Sequence, residues 1–139
     1  MGKVIVKIKL TNQADLVLQE LKLLKGKPRS VEVDALVDTG ATRLYLKPSV
    51  IRALGLKKME EVESRTTNGI RPRGVYQPVR LEVMKRHGDF NVVDIDEDVP
   101  NLLGQVPLAY LDFVVDPQGQ KLIPNPEHGE KQMTEEYWQ

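Results

Sequence analysis

The chain has no cysteine. That excludes disulfides, a thiol nucleophile and zinc–thiolate coordination. Histidine is scarce: His87 and His128 are the only two. Both fall in turn-like segments and read as solvated side chains, so neither a metal site nor a cofactor is expected. No apolar run approaches the length of a membrane span. No sign of charge predominates, since 20 Lys and Arg balance 20 Asp and Glu for a formal net charge of zero. Nothing at that scale draws the protein to nucleic acid or to an anionic membrane. Zero net charge also removes one barrier to self-association. Residues Met1 to Lys7 alternate instead of forming the apolar core of a signal peptide. Gly2 lacks the Ser or Thr at the sixth position that myristoylation favours. A cytoplasmic protein is therefore expected. At 139 residues the chain reads as one domain over 1–126, followed by a polar, mobile tail over 127–139. Tyr137 and Trp138 in that tail have no evident place.

The most informative stretch is Ala35-Leu36-Val37-Asp38-Thr39-Gly40-Ala41-Thr42. A short apolar run bounded by a turn signal is the end of a buried strand. It delivers one carboxylate, and an Asp in such a place is costly unless hydrogen-bonded or shared with another titratable group. Gly40 permits a tight turn, and Thr39 offers a hydroxyl. Asp38 is thus either the cap of an Asx-turn or a group held there for chemistry.

Around it the chain parses into short elements. Val4, Val6 and Ile8 alternate with lysines and predict a half-buried strand. Thr11-Asn12-Gln13 reads as a turn. Residues 14–24 fit either a strand or a short helix through Leu16, Leu18, Leu21 and Leu24. Ser30 to Val37 is the strand that carries Asp38, and Arg43 to Leu46 a short strand leaving the loop. Pro48 opens a helix with Val50, Ile51 and Leu54 on its apolar face, and Gly55 ends it. Residues 59–77 read as a long hairpin turning at Asn68-Gly69. A second hairpin pairs Pro78–Met84 with Phe90–Ile95 and turns at His87-Gly88-Asp89. Val99 to Gly104 is a buried strand, and Pro107 begins a short helix. Phe113–Asp116 and Lys121–Pro124 flank a Gly-containing loop.

Two stretches together resemble the retropepsin-like aspartic proteases. One is the Asp-Thr-Gly loop with apolar residues before it and Ala41 after it. The other is Leu102-Leu103-Gly104, which follows the hairpin and precedes a helix. The resemblance covers residues 30 to 112, with weaker support to 126. It implies a mainly β fold: a closed-barrel-like acid-protease lobe with a flap hairpin and one or two short helices. The catalytic residue would be Asp38, supported by Thr39, Gly40, Ala41 and Thr42. Thr67, Asn68, Gly69 and Ile70 would form the flap tip, and Leu102, Leu103 and Gly104 the second loop element. Two departures bear on substrate preference. Thr42-Arg43 puts a cation near the groove, and the flap tip has fewer glycines than viral flaps.

Peptide hydrolysis by this chemistry takes two carboxylates sharing one proton. The chain has a single Asp-Thr-Gly and no internal repeat, so the second Asp38 would come from a symmetry-related copy. The resemblance thus implies a homodimeric aspartic endopeptidase acting on an extended peptide or protein, with the terminal hairpin as a candidate interface. Two alternatives stay open: a dimer that binds peptides with little or no turnover, and a structural dimer whose Asp38 only caps its loop. Arg65, Arg71 and Arg73 could make a basic hairpin for nucleic acid, but a solvated face is the simpler reading at zero net charge.

Overall fold

The computed structural model describes residues 3–138. The expectations drawn from Met1 and Gly2, and the tail's last residue Gln139, lie outside that range. Strand β1 (Ile5–Asn12) buries Ile8 and Leu10 and exposes Lys7 and Lys9, as its alternation predicts. Asn12 ends the strand and caps helix α1 (Gln13–Glu20) directly, its side chain accepting from the Asp15 N–H at 3.0 Å. The same side chain donates to the Leu54 carbonyl at 2.8 Å. Thr11-Asn12-Gln13 is therefore a strand-to-helix junction and not a free turn. The capping bond decides the ambiguous stretch in favour of helix as far as Glu20, with Leu21 and Leu24 beyond it, although α1 leaves Val17 and Leu18 exposed.

Strand β2 (Ser30–Val37) is followed by β3 (Leu44–Leu46) and helix α2 (Pro48–Leu54). Helix α2 buries Val50, Ile51 and Leu54, and Gly55 stops it with a left-handed φ of 66°. Strands β4 (Lys58–Thr66) and β5 (Gly69–Val83) form the long hairpin. Strand β6 (Arg86–Asp94) returns from a turn at Met84-Lys85, whose φ values of 49° and 71° are both left-handed. Two such residues make the tight connection that matches strand twist. His87, Gly88 and Asp89, expected to turn the chain, instead pair inside the ladder with Glu82, Leu81 and Arg80. Strand β7 (Leu102–Leu103) and helix α3 (Gln105–Leu111) follow. A separate hairpin, β8 (Phe113–Asp116) and β9 (Lys121–Pro124), packs on the core through Phe113 and Leu122.

The main sheet runs β1-β2-β7-β3-β6-β5-β4, and β1 also pairs with β5. That extra ladder, Lys9 to Asn12 against Val79 to Glu82, closes six strands into a ring. Strand β4 stays outside it, bonded only to β5. The result is a mainly β, closed-barrel-like acid-protease lobe with three short α-helices among the described residues, α1 adding to the one or two expected. Ile8, Leu10, Leu44, Leu46, Leu81 and Leu103 fill the ring and are essentially inaccessible. Each such side chain contributes roughly 1.5–3 kcal/mol on burial.

The tail beyond Glu127 is attached at several points. Asp112, in a left-handed conformation after α3, accepts from the Met133 N–H at 3.0 Å and lies 2.6 Å from His128 Nδ1. His128 Nε2 lies 3.0 Å from Glu135. The His128 side chain is only 7% exposed, so the expectation of a solvated histidine is corrected at that position. Tyr137 and Trp138 are exposed.

Candidate active site

Strand β2 runs through buried Ala35 and half-buried Leu36 and Val37, and the next residue, Asp38, opens the loop at a half-exposed position. The backbone there is pinned to the opposite strand. The Leu36 N–H donates to Asn101 O at 2.8 Å and the Asp38 N–H to Leu103 O at 3.0 Å. Asp38 Oδ1 accepts the Gly40 N–H at 2.9 Å, and Asp38 O accepts the Ala41 N–H at 3.1 Å. This is the Asx-turn that the sequence allowed. It fixes the carboxylate instead of consuming it, because an ionised Asp has further acceptor sites.

Helix α3 grips the next stretch of the loop. Gly104, Gln105 and Val106 donate their backbone N–H groups to the carbonyls of Arg43, Ala41 and Thr42 at 3.0, 2.8 and 2.8 Å. These are among the first N–H groups of a helix, which have no partner within it. A Cβ on Gly104 would lie 2.4 Å from Arg43 O and 2.8 Å from Ala41 O. Only glycine lets the two segments cross so closely. Asn101, 5% exposed, ties the same region together: its Oδ1 accepts from the Lys47 N–H at 2.9 Å and its Nδ2 donates to Asp34 O at 3.1 Å. Sequence reasoning placed Asn101 in this strand without seeing that role. A lone Asn before two leucines carries no signal of a cross-strand clamp.

Over the loop stands the β4–β5 hairpin, leaving a cleft of about 650 Å³. Asp38, Gly40, Ala41 and Thr42 line its floor, Ser64, Thr66, Thr67 and Asn68 its roof, and Ile95, Val99 and Leu102 one wall. Of the expected site residues, Thr39 is exposed at the loop surface. Gly69 and Ile70 are exposed at the hairpin end, and Leu103 and Gly104 are buried behind the loop. The turn is displaced by one residue from the expected Asn68-Gly69. Thr66 pairs with Gly69, leaving Thr67-Asn68 as the two loop residues and Gly69 at φ 101°. The Thr66 hydroxyl sets this, donating to Gly69 O at 2.7 Å and accepting from the Asn68 N–H at 3.1 Å.

The base of the hairpin is anchored by Asp94. Its two oxygens accept from the Gly74 N–H and the Tyr76 hydroxyl, each at 3.2 Å. Burial first, then Asp94, pushes the Tyr76 phenol above its ordinary pKa, so it stays a donor. Nearer the cleft, Arg73 pairs with Asp96 at 3.1 Å, its side chain only 14% exposed. Arg43, expected to bring a cation to the groove, instead lines a smaller depression beside Phe90 and Pro107. The arginines that do line the cleft are Arg65, Arg71 and Arg73 on the hairpin.

A ring of strands holding an Asp-bearing loop beneath a projecting hairpin defines an acid-protease lobe. A family model described as "Aspartyl protease" matches residues 24–106, more than half of the chain. The chain belongs to the aspartyl protease family. Among curated proteins no match is found. No helix among the described residues is long and apolar enough to cross a membrane.

Proposed function

We propose that the protein is an aspartic endopeptidase that works as a homodimer, each protomer supplying one Asp38 to a shared dyad. The observation that carries this is Asp38 itself, fixed by its own loop on the floor of a cleft large enough for a peptide segment. In this chemistry one carboxylate takes a proton from the attacking water while its protonated neighbour donates to the carbonyl oxygen. The other carboxylates lining the cleft do not suit that role. Asp96 is engaged by Arg73, and Glu63 is carried on the exposed face of the hairpin. A two-fold axis through the loop would supply the missing group from a second Asp38. The hairpin would then close over the peptide and exclude bulk water. No metal or cofactor enters this mechanism.

The test is cleavage of a mixed peptide library by wild type, by Asp38→Asn, and by an exchanged equal mixture of the two. Asn keeps the shape but cannot carry the shared proton and charge. The pure variant is expected to keep its cooperative unfolding and lose turnover. Random pairing leaves roughly a quarter of dimers with two wild-type chains, so mixing should cut activity to about half that of the same wild type alone. Turnover by the pure variant would remove Asp38 from the chemistry. Activity unaffected by verified subunit exchange would remove the shared site.

A further inference from the structure

We propose that Arg71, on the underside of the hairpin, selects substrates with an acidic side chain beside the scissile bond. This rests on the peptidase function above and names its substrate class.

The register of the hairpin sets the geometry. Val62 pairs with Arg73, Ser64 with Arg71 and Thr66 with Gly69. Directly paired residues in an antiparallel ladder lie on one face, and alternate residues along a strand share that face. Val62, Ser64, Thr66, Arg71 and Arg73 therefore point the same way. Burial identifies the direction along the base of the hairpin: Val62, Ser64, Thr66 and Arg73 are half-buried, whereas Glu61, Glu63, Arg65, Ile70 and Pro72 are exposed. Arg71, nearer the tip, is itself exposed, and the ladder register places it on the half-buried face, where it lines the cleft. Arg73 reaches Asp96 across the wall of the cleft, so this face looks down on Asp38.

The two arginines of that face differ in their partners. The Arg73 charge is met by Asp96. Among the described residues no carboxylate lies within ion-pairing distance of Arg71. The floor contributes one acidic group, Asp38, which the dyad occupies. A peptide lying between floor and roof would thus meet an uncommitted guanidinium from above. A guanidinium presents a planar fork of donors that matches a carboxylate bidentately. A substrate Asp or Glu supplies that carboxylate, and a Lys at the same position meets like charge.

Short quenched fluorescent peptides test this, identical except for Glu, Gln or Lys at each position flanking the cleaved bond. At one position wild type is expected to favour Glu over Gln by about fivefold in kcat/KM, the scale of a partly exposed ion pair. Added salt should shrink that ratio. Arg71→Ala should bring it close to one, Arg71→Lys should retain part of it, and Arg71→Glu should turn the preference towards Lys. The ratio is internal to each variant, so a general loss of activity does not imitate the effect. A wild-type ratio near one at every position, or an unchanged ratio in Arg71→Ala, overturns the proposal. If no peptide is cut, the peptidase function fails, and anisotropy of the same labelled peptides then tests Arg71 by itself. A Glu-over-Gln binding preference that disappears in Arg71→Ala supports it, and its absence in wild type overturns it.

Discussion

Individual residues in this lobe work by what their backbones permit as much as by their side chains. Gly104 is the clearest case, with three backbone atoms of Ala41 and Arg43 inside 3 Å of where a Cβ would sit. Backbone atoms cannot swing aside as the end of a lysine can. We expect Gly104→Ala to destabilise the protein by about 1–3 kcal/mol, the usual cost of overpacking. Peptidase activity should fall by more than stability alone accounts for, because the displaced segment is the one that holds Asp38. Urea unfolding beside initial cleavage rates measures both. An unchanged midpoint with unchanged rates would show that the crossing is looser than its geometry indicates. Asn101 supports the same region with side-chain bonds, and nothing in its local sequence marks it.

At the scale of elements, the β4–β5 hairpin is the least supported part of the main sheet. Strand β4 has a neighbour on one side only, and the outer half of the hairpin exposes nearly every residue from Arg65 to Pro72. Segments with few buried contacts open at low free energy. Amide exchange is therefore expected to be fast from 64 to 72 in the free protein and slower with a saturating peptide-like inhibitor. Exchange near Tyr76, where Asp94 and Asn91 hold the strand, should change little. Equal exchange across 64 to 72 with and without inhibitor would count against a lid. The hairpin also shows where sequence reasoning stops. Its existence, its place after α2 and the strand leading to Asp38 were legible, because alternation and Gly55 are local signals. Its turn moved by one residue because the Thr66 hydroxyl bonds across it, a contact that a search for Asn-Gly does not weigh. The Met84-Lys85 turn was missed for a related reason. Strand pairing on both sides imposes left-handed backbone on two residues with no preference for it. Helix α1 stayed ambiguous because its apolar residues partly fit both periods, and the cap residue Asn12 and the first-turn Asp15 are themselves held by distant Leu54 and Arg29.

At the scale of the whole molecule, the tail is fastened to the body by a histidine between two acids. Bonds to Glu135 and Asp112 raise His128 above its ordinary value of 6.5, against the opposing effect of burial. Burial pushes Asp112 up, but bonds from His128, the Met133 N–H and Asn125 outweigh it and leave the group below 3.8. Glu127 also lies close to the imidazole, and Arg86 donates to the carbonyls of Leu111, Asp112 and Glu130. The signs follow from linkage. A raised histidine stabilises fully below pH 6.5 and loses its contribution as pH rises through its folded value. A lowered aspartate contributes above pH 3.8 and loses that as pH falls through its own folded value. The attachment should be firmest between those limits. Protection of the Met133 amide, corrected for intrinsic exchange, should be higher at about pH 5.5 than at about pH 8.5. The difference should vanish in His128→Gln, and a flat wild-type profile would refute the coupling. A different consequence follows from the way the ring closes. Strand β1 bonds to β2 on one side and to β5 on the other, and it lies wholly ahead of residues 24–106, the span that carries the family match. That span is like a cask short of one stave: without β1, two strands deep in the wall become open edges, ready to pair with any extended chain. The part of the sequence by which the family is recognised is thus smaller than the part that can stand as a folded body.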